Sequence, residues 1–174
     1  YTGKEADLAA LVTEMSAGRV GAVLFLDSNP AYNHPIAKEF EAALKKVSLT
    51  VSFADRQDET AALCQVVAPN HNFLEAWGDA NAIEGYYSLI QPTINPIYNT
   101  RQAEQSLLIW SNNPVQDYYT YVRNNWEKSV LLAAGKKWDE ILQSGFVALP
   151  AKTSSAYNFV GNVAAAATII STQS

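Results

Sequence analysis

The sequence predicts an α/β fold in which a mostly parallel sheet is flanked by helices, and three observations predict it. The run Gly21-Ala22-Val23-Leu24-Phe25-Leu26 is wholly apolar and stops at the polar, proline-closed Asp27-Ser28-Asn29-Pro30. The pattern recurs where Leu49-Thr50-Val51-Ser52-Phe53 runs into Asp55-Arg56-Gln57-Asp58-Glu59-Thr60. Between them Ile36, Phe40, Ala43, Leu44 and Val47 repeat at helical spacing. Continuous apolar runs joined through helices read as parallel strands buried on both faces. Open sheets of that kind bind ligands at the carboxyl ends of their strands.

Element by element, Leu8, Leu11, Val12 and Met15 share a helical face, and Gly18 ends that helix before the first strand. Pro35 sits where the next helix can start. After the second strand a short helix runs from Glu59 to Leu63, and a third strand, Gln65-Val66-Val67-Ala68, stops at Pro69. This β-α-β-α-β order predicts right-handed crossovers and a Rossmann-like arrangement. Ser88-Leu89-Ile90-Gln91 reads as a fourth short strand. Pro92 and Pro96 hold the chain from Gln91 to Tyr98 extended. Helical patterning returns over 100–110, 114–134 and 137–144, a helical C-terminal extension of the sheet domain. Residues 1–150 are expected to form the α/β domain, with 151–174 as a linker or tail. The opening Thr2-Gly3-Lys4-Glu5 already reads as a helix start, as in an internal piece of a longer chain.

At 174 residues the chain can bury a substantial core. A net charge of −5 leaves nothing to track a phosphate backbone, so no nucleic-acid partner is expected. Lys45-Lys46 and Lys136-Lys137 read as solvated helix faces. A single cysteine, Cys64, excludes an internal disulfide or a cysteine-ligated cluster made by this chain alone. The weakly polar stretch from Phe159 to Ile170 is too short to cross a bilayer, so no direct membrane insertion is expected.

The chemistry is sparse. His34 and His71 follow the first and third strands, but no HExxH or His-x-His spacing completes a metal set. No Gly-x-Ser-x-Gly elbow and no glycine-rich phosphate loop is present. Asp58-Glu59 opens a helix, where negative charge suits the dipole. Ser28 and Asn29 could orient a polar ring or ribose, and Asp55, Asp58 and Thr60 could read a guanine edge or sugar hydroxyl. Equally, Asn29-Pro30 is a turn signal, and Asp58 or Thr60 suits a helix N-cap.

Taken in order, these segments resemble the molybdopterin oxidoreductase family, the dimethyl sulfoxide reductase and formate dehydrogenase group. The matching residues are Asp27-Ser28-Asn29-Pro30, Asp55, Asp58-Glu59-Thr60, Cys64-Gln65-Val66-Val67-Ala68-Pro69 and Phe73-Leu74-Glu75-Ala76-Trp77-Gly78. Ser88 to Arg101 is similar to one branch, that of the large periplasmic iron–sulfur subunit of alternative complex III and polysulfide-reductase-like proteins. The resemblance implies Ser28, Asn29, Asp55 and Thr60 as vestigial contact positions for molybdopterin guanine dinucleotide. It also implies that Asp27 stands where the family has glycine, Asp58 where it has threonine and Gln65 where it has aspartate.

Two acids gained around an anion site and one loop acid lost imply a fold kept without its ligand. On that resemblance, no cofactor is expected in this piece, and iron–sulfur clusters are expected elsewhere in the parent chain. The implied role is scaffold and docking part of a quinol-oxidising, membrane-associated respiratory complex, on the periplasmic side of the inner membrane. Trp77, Tyr86, Tyr87, Tyr118, Tyr119 and Tyr121 would partly meet its other subunits. The alternative is part of the dinucleotide-binding region of an active molybdenum oxidoreductase. A free-standing module for a small polar ligand is a third reading.

Overall fold

The computed structural model describes residues 5–150, 160–164 and 167–168. The expected start signal at Thr2-Gly3-Lys4 and most of the 151–174 tail lie outside them. The α/β class holds, and the described residues form two compact units that divide between Ala68 and Pro69.

In the first unit the order is α1 (Glu5–Ser16), β1 (Ala22–Phe25), α2 (Pro30–Asn33), α3 (Ala37–Leu44), β2 (Leu49–Ser52), α4 (Glu59–Leu63) and β3 (Val66–Val67). Gly18, at φ +70°, turns the chain out of α1, a conformation that glycine adopts without a Cβ clash. The strands lie in the order β1-β2-β3, all parallel, with Phe25 opposite Ser52 and Ser52 opposite Val67. Val23 and Phe25 face Val12, Met15, Phe40, Ala43, Leu44 and Val47, and the Phe25 and Phe40 rings meet edge to face at 5.8 Å. Burial of β1 on both faces was the expectation, and here the structure differs. Leu24 stays 42% exposed, because α1 and α3 both pack on the Val23/Phe25 face.

The second unit carries an antiparallel sheet that the sequence reading missed. Its strands are β4 (Gly78–Ile83), β5 (Tyr86–Ile90) and β6 (Phe146–Ala148), in that order. The segment read as a fourth strand is β5, but it pairs antiparallel with both neighbours rather than extending the parallel sheet. Asp79-Ala80-Asn81-Ala82 has little strand propensity, and register slips between Ala80 and Ile83, so β4 carried no periodic signal.

Helices α5 (Ala103–Trp110), α6 (Tyr118–Lys128), α7 (Val130–Ala134) and α8 (Trp138–Ser144) complete the unit. The long helix expected over 114–134 starts only at Tyr118, where Asp117 caps the Thr120 amide at 2.8 Å. It then breaks at Ser129, whose φ of −123° and ψ of −84° are not helical. Trp126 and Trp138 meet edge to face at 6.3 Å within a core of Leu89, Val122, Val130, Leu131, Ile141 and Val147. Trp77, Tyr87, Tyr118 and Tyr119 pack against that core. Of the six aromatics expected to include subunit contacts, these four are therefore engaged in packing, while Tyr86 is 53% exposed. Among the described residues no helix is long and apolar enough to cross a membrane.

Candidate functional site: the carboxyl rim of the parallel sheet

Because β1 and β2 run parallel in register, the segments after Phe25 and Ser52 leave the sheet at the same edge. β3 ends there too, with the Ala68 amide donating to the Ser52 carbonyl at 2.9 Å. Pro30 opens α2 after the first of these loops, and Asp58 caps α4 after the second by accepting from the Ala61 amide at 2.7 Å.

Two of the four predicted contact residues bond to each other across this rim. Asn29 Oδ1 accepts from the Thr60 hydroxyl at 2.7 Å and from the Thr60 amide at 3.1 Å. Asn29 Nδ2 donates to Glu59 at 2.7 Å, and the Ala31 amide donates to Thr60 Oγ1 at 3.1 Å. Thr60 is fully buried by this closure. Asp55 is not part of it: its exposed carboxylate takes the guanidinium of Arg56 at 3.1 and 3.3 Å. Ser28 is exposed beside Asn29.

The electrostatics follow from those partners. The Asn29 amide holds the Glu59 carboxyl below the usual carboxylate range. Arg56 does the same for Asp55, first by hydrogen bonding and then by its charge. Burial pushes the Cys64 thiol up, although Cys64 is only half-buried and its sulfur donates to the Thr60 carbonyl at 3.3 Å. Asp27 adopts φ +45°, a left-handed backbone that a side chain disfavours and glycine accepts readily.

A dinucleotide pyrophosphate does not fit this rim. Residues 27–30 and 55–60 carry Asp27, Asp55, Asp58 and Glu59 against the single cation Arg56, which is already paired with Asp55. Each like-charge pair at 4 Å opposes binding by about 1 kcal/mol in bulk water and by about 4 kcal/mol where screening is partial.

The remaining motif residues serve structure. Gln65 and Thr50 exchange bonds, Thr50 amide to Gln65 Oε1 at 3.2 Å and Gln65 amide to Thr50 Oγ1 at 2.9 Å. In the second unit Glu75 is buried and accepts from the amides of Asn72 at 3.1 Å and Ile97 at 3.0 Å, clamping the proline-rich loop. Each histidine is engaged locally: His34 Nδ1 accepts from the Ile36 amide at 3.3 Å, and His71 Nδ1 lies 2.6 Å from Thr100 Oγ1. Among the described residues no three histidine, cysteine or acidic side chains gather as a metal set. Sequence reasoning missed the Asn29–Glu59 bond, since no local pattern pairs residues 30 positions apart. The glycine that the resemblance implies at the position of Asp27 agrees with the left-handed backbone there.

No model of a known protein family matches the chain. Its fold is similar to part of acetylene hydratase from Pelobacter acetylenicus, with a TM-score of 0.60 over 83% of this chain and 20% of that one, at 18% identity. The class so defined is an α/β fold similar to that of this molybdopterin-family structure, the family that the motifs also resemble. In particular, the chain is similar to the menaquinone reductase, molybdopterin-binding-like subunit, of Nitratidesulfovibrio vulgaris (strain Hildenborough). The two are 31% identical over 109 residues, which is 59% of this chain and 16% of that relative. The chain thus spans about a sixth of the curated relative's length and a fifth of the solved structure's.

Proposed function

We propose that this molybdopterin-oxidoreductase-like domain works without the cofactor, as scaffold and docking part of a quinone-linked respiratory complex. The observation that carries the proposal is the closure of the rim. Asn29 and Thr60, which the resemblance assigns to nucleotide contact, spend their polar groups on each other and on Glu59. The acids around them repel a pyrophosphate. The name of the similar relative, a molybdopterin-binding-like subunit of a menaquinone reductase, supports a quinone-linked assembly. It favours quinone reduction over the quinol oxidation expected from the alternative complex III branch. Iron–sulfur clusters elsewhere in the parent chain and a position on the periplasmic side of the inner membrane belong to the same proposal.

The test is elemental and nucleotide analysis of the full-length parent protein purified in its complex. The expected result is molybdenum and released guanine nucleotide far below one per chain. Either of them at one per chain would overturn the cofactor-free reading in favour of an active molybdenum oxidoreductase.

A further inference from the structure

The last helices of the second unit surround an open cleft of about 450 Å³. Leu131, Leu132 and Trp138 supply apolar surface, and Arg123, Lys136 and Lys137 line it with positive charge. Leu131 and Trp138 are almost wholly buried, so this part of the lining is fixed, and the Trp138 indole donates to the Tyr119 hydroxyl at 3.1 Å. Leu132 is different: in the middle of α7 it is 75% exposed. Gly135, at φ +63°, reverses the chain so that Lys136 and Lys137 follow immediately.

The charge here runs against that of the chain as a whole. Residues 123–140 hold Arg123, Lys128, Lys136 and Lys137 against Glu127, Asp139 and Glu140, and the Glu140 carboxylate accepts from the Lys137 backbone amide at 2.6 Å. Arg123 is already paired with Glu127 at 2.8 Å, and Asp139 adds a second acid to the lining. The Lys136 and Lys137 ammonium groups make no ion pair with a carboxylate among the described residues. Lys136 and Lys137, unpaired among the described residues, flank the exposed Leu132, and together they complement a chain segment that carries carboxylates around a large apolar side chain. With Leu132 so exposed, the cleft gives a small molecule little enclosure, whereas an extended segment can lie across it.

We propose that this cleft docks an acidic peptide segment with an apolar centre, contributed by a partner subunit. The proposal rests on the scaffold reading only in taking the partner to be a subunit of the complex. Its test reads peptide binding irrespective of molybdenum content, so either reading can fail alone.

The probe is a short fluorescein-labelled peptide with a central Leu-Phe pair flanked by Asp and Glu, titrated with the full 174-residue chain and followed by anisotropy. Saturable binding that weakens as salt rises is expected. Lys136→Glu with Lys137→Glu should weaken it by about tenfold or more, and Leu132→Ser by roughly threefold or more. All three positions are exposed, so the variants are expected to fold, and circular dichroism checks this. The control Lys38→Glu with Lys45→Glu changes the same charge on exposed sites of α3 and the residue after it, and should leave the affinity unchanged. No binding of the acidic peptide, equal binding of a lysine-flanked version, or equal loss in the control would overturn the proposal. So would pelleting of the chain by phosphatidylserine vesicles through Lys136 and Lys137 with no peptide binding, which would assign the cleft to a lipid surface.

Discussion

The carboxyl rim of the parallel sheet and the cleft among the last helices are opposites in charge and in satisfaction. At the rim, Asn29, Glu59 and Thr60 consume one another's hydrogen-bonding capacity across two loops. In the cleft, Lys136 and Lys137 have no carboxylate paired to their ammonium groups among the described residues, beside a leucine that is 75% exposed. Polar groups that bond each other hold loops together, whereas cations and apolar surface left open can meet another molecule.

The sharpest way to break the comparison is to remove the support beneath the cleft. Trp126 is buried, packs on Trp138 and donates to Asp79 at 2.6 Å. Trp126→Ala is expected to destabilise the second unit by about 3–5 kcal/mol. Urea unfolding followed by circular dichroism reads the loss, and a midpoint equal to the wild type would deny this core its role. Next in size is Asn29→Ala, which strands the buried Thr60 hydroxyl and amide. A loss of about 2–3 kcal/mol is expected, read in the same way. A loss below about 0.5 kcal/mol, the ordinary surface range, would mean that the rim is not locked by this residue.

Asp27→Gly acts in the other direction. It relieves a left-handed backbone and is expected to stabilise by about 1 kcal/mol, raising Tm by roughly 2–4 °C. It also removes one rim carboxylate. If repulsion is what opposes nucleotide, guanosine diphosphate should shift the melting of this variant more than that of the wild type. Identical shifts would count against the electrostatic account of the rim.

The smallest effect is a titration. Burial, with the nearby carboxylates of Glu104 and Asp79, pushes Tyr118 up to about 12. A raised value means that the folded state holds this proton more tightly than the unfolded chain. Its contribution to stability is therefore complete below the ordinary tyrosine value near 10 and lost as pH rises through about 12. Absorbance at 295 nm should contain a component with a midpoint of about 12 that Tyr118→Phe removes. A curve unchanged in that variant would assign the late proton to another residue.

The first unit was readable because its signals are local. Apolar runs marked β1 and β2, Gly18 marked the end of α1, and Asp58-Glu59 marked the start of α4. β3 was found but shrank to Val66–Val67, since only Val51 and Ser52 pair with it. The second unit was harder. Its strand β6, Phe146–Ala148, follows Gly145 directly and is too short to show alternation. The break at Ser129 lies inside a pattern that reads as helical throughout.

By itself the sequence determined the α/β class, the parallel order of the first sheet and the loops that end its strands. Those features follow from apolar periodicity, turn chemistry and helix capping, which act between near neighbours. Only the tertiary structure decided that Asn29 and Thr60 bond to each other, that Leu24 and Leu49 keep an exposed face, and that Lys136 and Lys137 flank a cleft floored by Trp138. Each of these depends on residues far apart in the chain being brought together by packing, and no short-range pattern encodes which side chains then meet.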